Sequence, residues 1–375
     1  MITDKGKSVL AKYLIGQAPA YASYIAVGCG AKPLATDDVL DDYSAKTELD
    51  FEMFRVPIIS RGFVNEDGIS KVVLTAAMPT EERYEISEIG VYSAGSNPAA
   101  GAYDSKTIYS FTQTEGWEYH AETTATAIPV VYSSLDSNDN GIIELADPVF
   151  QTNADNKLFT DPTRSARYER ARFLNNMIVA VGDMSTVEDD GNGGLTVTSG
   201  NHIHLNGVTI DLNKNAPTDL LKFAFSVINK DGTSPAVPES VKMVIQFASS
   251  DAEGTGEYAN FEINIENGTA DGQHDFENNR YVVSTKQLQE LVKSAGFSWG
   301  SVNIAKISAS VYYGGVPSSD FYICFDALRL ENVTDTSPVY GLTGYSVVKN
   351  TDSDPIIKRA NTTNFVEFRF AIGVA

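Results

Sequence analysis

One segment of this 375-residue chain carries oxygen-bearing side chains at the spacing of a calcium-binding loop. Residues 136–147 read DSNDNGIIELAD, which fits D-x-[DN]-x-[DN]-G with an acid at the twelfth position. A calcium ion takes about six to eight oxygen ligands, and Gly141 allows the sharp turn that such a loop needs. The predicted ligands are Asp136, Asn138, Asn140, Ile142 through its carbonyl, Glu144 and Asp147.

Two features limit this hypothesis to a loop without the flanking helices of an EF-hand. Pro148 prevents a regular helix from beginning at the exit, and the entering residues 128–132 are strand-like. The same stretch is also typical of a polar linker, in which Asp136 and Asn138 accept hydrogen bonds from their own backbone. The sequence leaves both interpretations open. A bound Ca²⁺ here is expected to stiffen the connection between two domains.

Two histidines form a second candidate for metal binding. His202 and His204 are two positions apart in a predicted strand, so both imidazoles lie on one face of a sheet. Such a pair can ligate a transition metal, but no third ligand follows at a sequence spacing that is typical of metal sites. A polar sheet face is the alternative interpretation. Cys29 and Cys324, the only two cysteines, lie far apart and predict neither a disulfide framework nor a zinc site.

Four aromatic residues that flank glycine-rich turns are candidates for sugar binding. A pyranose presents an apolar C–H face that stacks on an aromatic ring, while its hydroxyls form hydrogen bonds with Asn, Asp and Gln. Most aromatic residues of a β-sandwich pack in its core, so core packing is the alternative for each of them. The four candidates are Tyr258, Trp299, Tyr312 and Tyr313.

The sequence predicts no enzyme and no catalytic residue. It contains no phosphate-binding glycine loop and no His-Glu-x-x-His, and its single Gly-x-Ser-x-Gly, at residues 296–300, precedes a strand-like segment and not the helix that follows a nucleophile elbow. Glycosidases use paired carboxylates, but with 49 acidic residues such pairs arise by chance. A pair such as Glu262 and Glu266 therefore identifies no active site.

The elements that must position these residues are almost all strands. Short runs rich in β-branched and aromatic residues recur between turn dipeptides such as Asp67-Gly68 and Gly314-Gly315. Their regular spacing is typical of a β-sandwich. We expect a mainly β fold, with a β-sandwich first domain that carries one N-terminal helix and an inserted jelly-roll β-sandwich domain.

Two helical segments are predicted. The first begins after Thr3 or Asp4 and ends near Gly16, and its apolar face is expected to cover a sheet. The second begins after Ser284, which forms a possible capping box with Gln287. The apolar face of the first helix consists of Val9, Leu10, Tyr13 and Leu14.

Composition divides the chain into two domains. Residues 136–150 belong to a stretch rich in Asn, Asp, Ser and Thr, which is typical of a linker. The segment after residue 338 holds about three strands, too few to bury a core alone. We therefore expect residues 1–135 and 338–375 to form one domain and residues 151–337 to be inserted into it.

The charge balance limits the classes of partner that we expect. The chain has 28 Lys and Arg against 49 Asp and Glu, a net charge of −21 that repels phosphate backbones and anionic headgroups. We expect no nucleic-acid partner and, because the apolar runs are strand-sized, no membrane insertion. The first residues lack the apolar region of a signal peptide, so synthesis as a soluble cytoplasmic product is expected.

Several segments of the first domain follow one another in a recognisable order. They are ITDKGKSVLAKYLIG, YIAVGCGAKPL, DGISKVVLTAAM, EISEIGVYSA, TIYSFTQTEGW and the closing PIIKRANTTNFVEFRFAIGV. Their order and spacing resemble the tail-proximal domain of bacteriophage tail and baseplate proteins, although Cys29 stands where that family usually has Thr or Ser. The resemblance implies a non-enzymatic, tail-fibre-like virion component in a homo- or hetero-oligomeric assembly with other tail or baseplate proteins.

The inserted domain ends in a strand with a recognisable pattern. Phe321–Leu330 reads aromatic-x-x-x-aromatic-Asp-x-Leu-x-Leu and is similar to the final strand of carbohydrate-binding-module jelly rolls. That resemblance implies contact with host cell-surface glycan and makes Asp326 a ligand of a structural calcium. The alternative is that the Asp326 side chain accepts a hydrogen bond from a neighbouring backbone amide. The rival functions are a glycan-cleaving tail enzyme, that is a depolymerase, and a bacterial surface adhesin.

Overall fold

A computed structural model gives the fold of the protein. The residues that it describes are 1–17, 21–28, 42–78, 84–94, 107–111, 117–121, 126–129, 178–181, 184–229, 237–249, 256–268, 282–332, 340–348, 356–358 and 362–371. They form one α-helix, one 3-10 turn and 23 strands. The predicted mainly β fold class is confirmed.

The elements follow one another in this order: α1 (Asp4–Leu14), β1 (Tyr21–Gly28), β2 (Glu52–Glu66), β3 (Ile69–Met78), β4 (Tyr84–Glu85), β5 (Glu88–Ala94), β6 (Thr107–Ser110), β7 (Trp117–Ala121), β8 (Thr126–Pro129), β9 (Ile178–Val181), β10 (Val187–Asp189), β11 (Leu195–Val197), β12 (His202–Leu205), β13 (Leu220–Asn229), β14 (Ser240–Ala248), β15 (Tyr258–Glu266), β16 (Val282–Gln287), the 3-10 turn Leu288–Glu290, β17 (Val292–Lys293), β18 (Asn303–Tyr313), β19 (Val316–Ser318), β20 (Phe321–Glu331), β21 (Leu342–Val347), β22 (Ile357–Lys358) and β23 (Asn364–Ala371).

The chain folds into two compact units. The first combines Met1–Ile108 with Val333–Ala375, and the second consists of Tyr109–Asn332. The boundary differs from the predicted one at residue 135, because β7 and β8 pair with each other and β7 pairs with β12 of the second unit. Trp117 at the start of β7 is buried in the core of that unit. The predicted linker at residues 136–150 lies outside the described residues, and the pairing of β7 with β12 is what assigns β7 to the second unit.

A six-stranded sheet forms the first unit, in the order β21-β5-β1-β2-β3-β23. The long strand β2 pairs with β1 up to Pro57 and with β3 from Ile58 onward. Asp67-Gly68 joins β2 to β3 with φ of 55° and 78°, the left-handed pair that a tight hairpin turn requires. The C-terminal segment completes this sheet at both of its edges, since β21 pairs with β5 and β23 pairs with β3.

Glu88 is a fully buried carboxylate in the first unit. It accepts backbone hydrogen bonds from Asp50 at 3.0 Å and from Phe51 at 2.8 Å, and the Tyr345 hydroxyl donates to it at 2.9 Å. Burial raises the pKa of Glu88 above its usual value, while the hydrogen bond from the Phe51 amide acts in the opposite direction. These bonds fasten the start of β2 to β5 and β21.

A buried ion pair lies on the same sheet. The Arg55 guanidinium is 3.1 Å from the Glu52 carboxylate and lies 3.9 Å from the centroid of the Tyr92 ring. The Tyr92 hydroxyl donates to Glu52 at 3.2 Å. Burial of a charge is tolerated where opposite charge and an aromatic face compensate it, as they do here.

The helix α1 begins as predicted, with the Thr3 side chain accepting a hydrogen bond from the Gly6 amide at 3.1 Å. Its predicted packing is largely wrong. Val9 is buried, whereas the other members of the apolar face are exposed, Leu14 by 82%. The helix approaches β21 through Gly6, where a Cβ atom would lie 2.2 Å from the Thr343 carbonyl oxygen. Leu10 and Tyr13 line a solvent-exposed groove beside Ala22 and Val91 of the sheet, which the helix therefore does not cover.

The second unit is a two-layer sandwich. One sheet runs β17-β15-β14-β18-β12-β7-β8 with β19 on β18, and the other runs β16-β13-β20-β6 with β9 on β20. The inner faces of the two sheets form one apolar core. Phe223 of β13 and Phe261 of β15 meet across it edge to face, with ring centroids 5.6 Å apart.

The second predicted helix is wrong. Ser284 lies in β16, and the capping box joins Gln287 to Glu290 around a single 3-10 turn. Leu288 and Leu291 have the spacing of one helix face, and both are buried in the sandwich core without a helix between them. Packing of these two leucines into the sandwich core overrides the weak helical preference of the segment.

Candidate functional site

Three of the four histidines in the sequence meet on one face of the second unit. The strands β7 and β12 are antiparallel neighbours, and their register places His120 opposite His202 and Glu118 opposite His204. Side chains alternate between the two faces of a sheet, so these four residues share a face. The residues between them include Ile203, which is fully buried in the core on the opposite face.

The three imidazole rings lie close to one another, and the Glu118 carboxylate contacts His204. The ring centroids of His120 and His202 are 4.9 Å apart, those of His202 and His204 are 5.7 Å apart, and those of His120 and His204 are 6.0 Å apart. The Nε2 atom of His204 is 3.3 Å from the Glu118 carboxylate. The Asn206 amide donates to the same carboxylate oxygen at 3.4 Å.

Burial sets the electrostatics of this cluster. His204 is 6% exposed, and His120 and His202 are half-buried. Burial lowers the pKa of His202 to about 4, although its Nδ1 atom lies 3.1 Å from the Gly200 carbonyl, which acts in the opposite direction. The charge of Lys306 and the neighbouring imidazoles lower the same pKa. His202 is therefore a neutral imidazole at neutral pH.

In their present rotamers these side chains do not converge on a common point. No group of three or more His, Cys, Asp or Glu side chains within the described ranges is arranged to hold a metal ion. Glu118, His120, His202 and His204, which we call the histidine block, nevertheless bring imidazole nitrogens and a carboxylate together. These are ligands that late first-row transition metals accept.

Sequence reasoning found half of this block. His202 and His204 are on one face, as predicted, but His120 and Glu118 lie more than 80 residues earlier in the chain. The available signal was the matching alternation of two short segments, WEYHA and HIHL, each with two polar residues two positions apart. The register that brings the segments together depends on the folded sheet and cannot be read from either segment alone.

The predicted calcium loop lies outside the described residues. All six ligand candidates, from Asp136 to Asp147, belong to that part of the chain. Asp326 lies in β20, opposite Ala224 of β13. Calcium binding at the loop and at Asp326 therefore stays a prediction.

The aromatic candidates for sugar binding do not form one site. Ser240 at the start of β14 pairs with Tyr312, and Ala248 at its end pairs with Tyr258. Ser240 and Ala248 are eight positions apart along the strand, which corresponds to about 27 Å. Tyr312 and Tyr313 therefore lie at one end of the sheet, far from Tyr258.

The individual rings have different roles. Trp299 packs against the core, edge to face with Phe297 at a centroid distance of 4.8 Å. The Tyr312 hydroxyl donates to the Val187 carbonyl at 2.7 Å, and the Lys242 ammonium lies 4.6 Å from its ring centroid. Tyr258 is half-buried. Tyr313, 62% exposed, is the one of the four whose ring is largely open to solvent.

Comparison with protein families, with curated proteins and with solved structures finds no match for this chain. The resemblance to bacteriophage tail proteins therefore stays a prediction from the sequence. Over the described ranges, no helix is both long enough and apolar enough to cross a membrane.

Proposed function

We propose that this chain is a structural component of a bacteriophage tail or baseplate, with a first unit that attaches to other tail proteins and a second unit that is displayed. The observation that supports this proposal most strongly is the distribution of exposed apolar side chains. Ten of the thirteen large hydrophobic side chains that are exposed in the described ranges belong to the first unit. The second unit contributes more of the described residues.

Eight of these ten residues lie in two places, on α1 with its C-cap Ile15 and on three neighbouring strands; the other two are Met1 and Ile356. On α1, Leu10, Tyr13, Leu14 and Ile15 are exposed, and on the hairpin sheet β2-β3-β23 the exposed residues are Ile59, Phe63, Ile69 and Phe365. Contiguous exposed apolar surface marks protein–protein contact sites, and the grouping of these residues on one helix and three neighbouring strands is consistent with such a site. Another protein of the same particle, with an apolar surface of its own, is the partner that this proposal assigns to them.

The insertion also suits a display role. The strands β5 and β21 that flank the inserted segment are neighbours in one sheet. The Ser93 amide donates to the Gly341 carbonyl, and the Tyr340 amide donates to the Ser93 carbonyl, both at 3.1 Å. The last residues of β5 and the residues that lead into β21 therefore lie side by side in one sheet. The sheet of the first unit is continuous across this point, as expected for a mount that carries a separate module.

The test compares incorporation of variants into phage particles. Phe63 of the first unit and Tyr313 of the second are almost equally exposed, by 64% and 62%. We expect Phe63→Ser to reduce the amount of this protein in purified particles several-fold and Tyr313→Ser to leave it unchanged, measured by quantitative mass spectrometry. Absence of the wild-type protein from purified particles, or equal incorporation of both variants, would refute the proposal.

The displayed unit is proposed to contact host cell-surface glycan without cleaving it. Incubation of the pure protein with host cell-wall polysaccharide separates this proposal from the depolymerase alternative. Binding with no shortening of the polysaccharide supports a non-enzymatic contact, whereas release of shorter saccharides shows an enzyme. Chromatographic sizing of the saccharide before and after incubation provides the measurement.

A further inference from the structure

We propose that His120, His202, His204 and Glu118 bind one divalent transition-metal ion, with Zn²⁺ as the expected metal, and that this ion fastens β7 to β12. The inference concerns the second unit alone. It does not depend on the proposed role in a phage particle.

The backbone positions of the four residues suit a common ion. His120 stands directly opposite His202, and Glu118 stands directly opposite His204. Opposed residues of antiparallel strands have Cβ atoms about 5 Å apart, and alternate residues of one strand are about 7 Å apart. The four side chains therefore rise from the corners of a small rectangle on one sheet face, within reach of a single point above it.

The distances between the imidazole rings are close to those around a tetrahedral ion. With a zinc–nitrogen bond of about 2.1 Å, two imidazoles on one zinc have centroids roughly 5 Å apart. The three observed separations are 4.9, 5.7 and 6.0 Å. Metal binding therefore requires rotation of the rings, and it requires little movement of the strands.

The change needed to close the site is a change of side-chain rotamer. The nitrogen atoms do not converge in the present rotamers. The second side-chain torsion of histidine has a broad energy profile, so its ring can turn at low cost. Glu118 already lies beside the Nε2 atom of His204, at 3.3 Å, and completes the set as the fourth ligand.

The donor set selects the metal. Imidazole nitrogens favour Zn²⁺ and its transition-metal neighbours, whereas Ca²⁺ and Mg²⁺ prefer sites made of oxygen. The net charge of −21 attracts cations to the protein surface in general. Lys306 lies close enough to affect His202 and opposes metal binding locally. Selectivity for Zn²⁺ over Ca²⁺ therefore distinguishes this site both from unspecific attraction and from the predicted loop at residues 136–147.

The experiment titrates the metal-free full chain with Zn²⁺ and, separately, with Ca²⁺. We expect one Zn²⁺ to bind per chain and to raise the melting temperature by several degrees, because a bound ion stabilises the folded state. His120→Asn and His202→Asn should each weaken Zn²⁺ binding at least tenfold, since each removes one ligand. Asp320→Asn removes an exposed carboxylate of the same unit and should leave Zn²⁺ affinity unchanged.

Two outcomes would overturn the proposal. One is a wild-type chain that binds no Zn²⁺, and the other is Zn²⁺ binding that both histidine substitutions leave intact. If the variants fail to fold, X-ray absorption of the zinc-loaded wild-type chain decides between the possibilities. A zinc shell with three imidazoles supports the site, and a shell with fewer than three refutes it. Neither result bears on whether the chain is present in phage particles.

Discussion

Tyr345 shows how one hydroxyl links three strands of the first unit. Its ring is fully buried, and its hydroxyl donates to Glu88, which also holds the backbone at the start of β2. Burial raises the pKa of Tyr345 above its usual value, and the negative charge of Glu88 raises it further. The folded protein therefore keeps this phenol neutral at pH values where an unfolded chain ionises it.

Two consequences follow for a Tyr345→Phe variant. At neutral pH the loss of the hydrogen bond to buried Glu88 should lower the free energy of unfolding by about 1–2 kcal/mol. In the wild type, stability from Tyr345 is fully present below about pH 10, the unfolded-state pKa, and falls as pH rises above it. The variant should therefore lose less stability between pH 9 and pH 11.

Urea unfolding at several pH values measures both effects. Tyr13→Phe is the matched control, because Tyr13 is exposed on α1, and it should change neither the stability nor its pH dependence. Equal alkaline slopes for the wild type and Tyr345→Phe would contradict the assignment of this residue.

At the level of single elements, the packing of α1 depends on Gly6. A Cβ atom at this position would lie 2.2 Å from the Thr343 carbonyl oxygen, and backbone cannot yield as a flexible side chain does. We expect Gly6→Ala to separate the helix from β21 and to destabilise the first unit by about 1–3 kcal/mol. Chemical denaturation provides the measurement. Lys5→Ala, at an exposed neighbouring position, should have an effect of less than about 0.5 kcal/mol.

Strands were more predictable than helices, for a physical reason. The sequence predicts a strand at Phe321–Leu330, and the structure has a strand at Phe321–Glu331. Alternation reports the two faces of a strand directly. In the segment after Ser284, the two leucines with helical spacing pack in the sandwich core. The local sequence pattern does not show which residues will pack against distant parts of the chain.

The histidine block shows the same limit for the site. The pair His202 and His204 is a property of one strand, and its shared face follows from the two-residue period. The partners His120 and Glu118 lie within residues 1–135, which the sequence assigns to the first domain, whereas the structure has them in the second unit. Only the register of β7 against β12 reveals them.

For the whole molecule, the first unit is built from two separate chain segments, so we expect truncation of the second segment to unfold the first unit and not the second. Ending the chain after Asn332 removes β21 and β23, the two outermost strands of the six-stranded sheet. The first unit should then unfold, because β5 and β3 lose their pairing partners, whereas the second unit ends at Asn332 and should still melt cooperatively.

Differential scanning calorimetry distinguishes the two units. A chain that ends after Ala371 keeps all strands of the first unit and should retain the transition that the shorter chain loses. A first unit that melts cooperatively without residues 333–375 would show that β21 and β23 are dispensable for its fold.

The hydrogen bonds between Ser93 and residues 340–341 have a consequence for how such a protein can evolve. Because the chain departs and returns through adjacent strands, the sheet constrains only the distance between the ends of whatever is inserted. A domain of unrelated fold could replace residues 109–332 if its own termini lie close together, and a short turn could replace it altogether. Recombination at this junction could therefore exchange one inserted domain for another while the first unit stays the same.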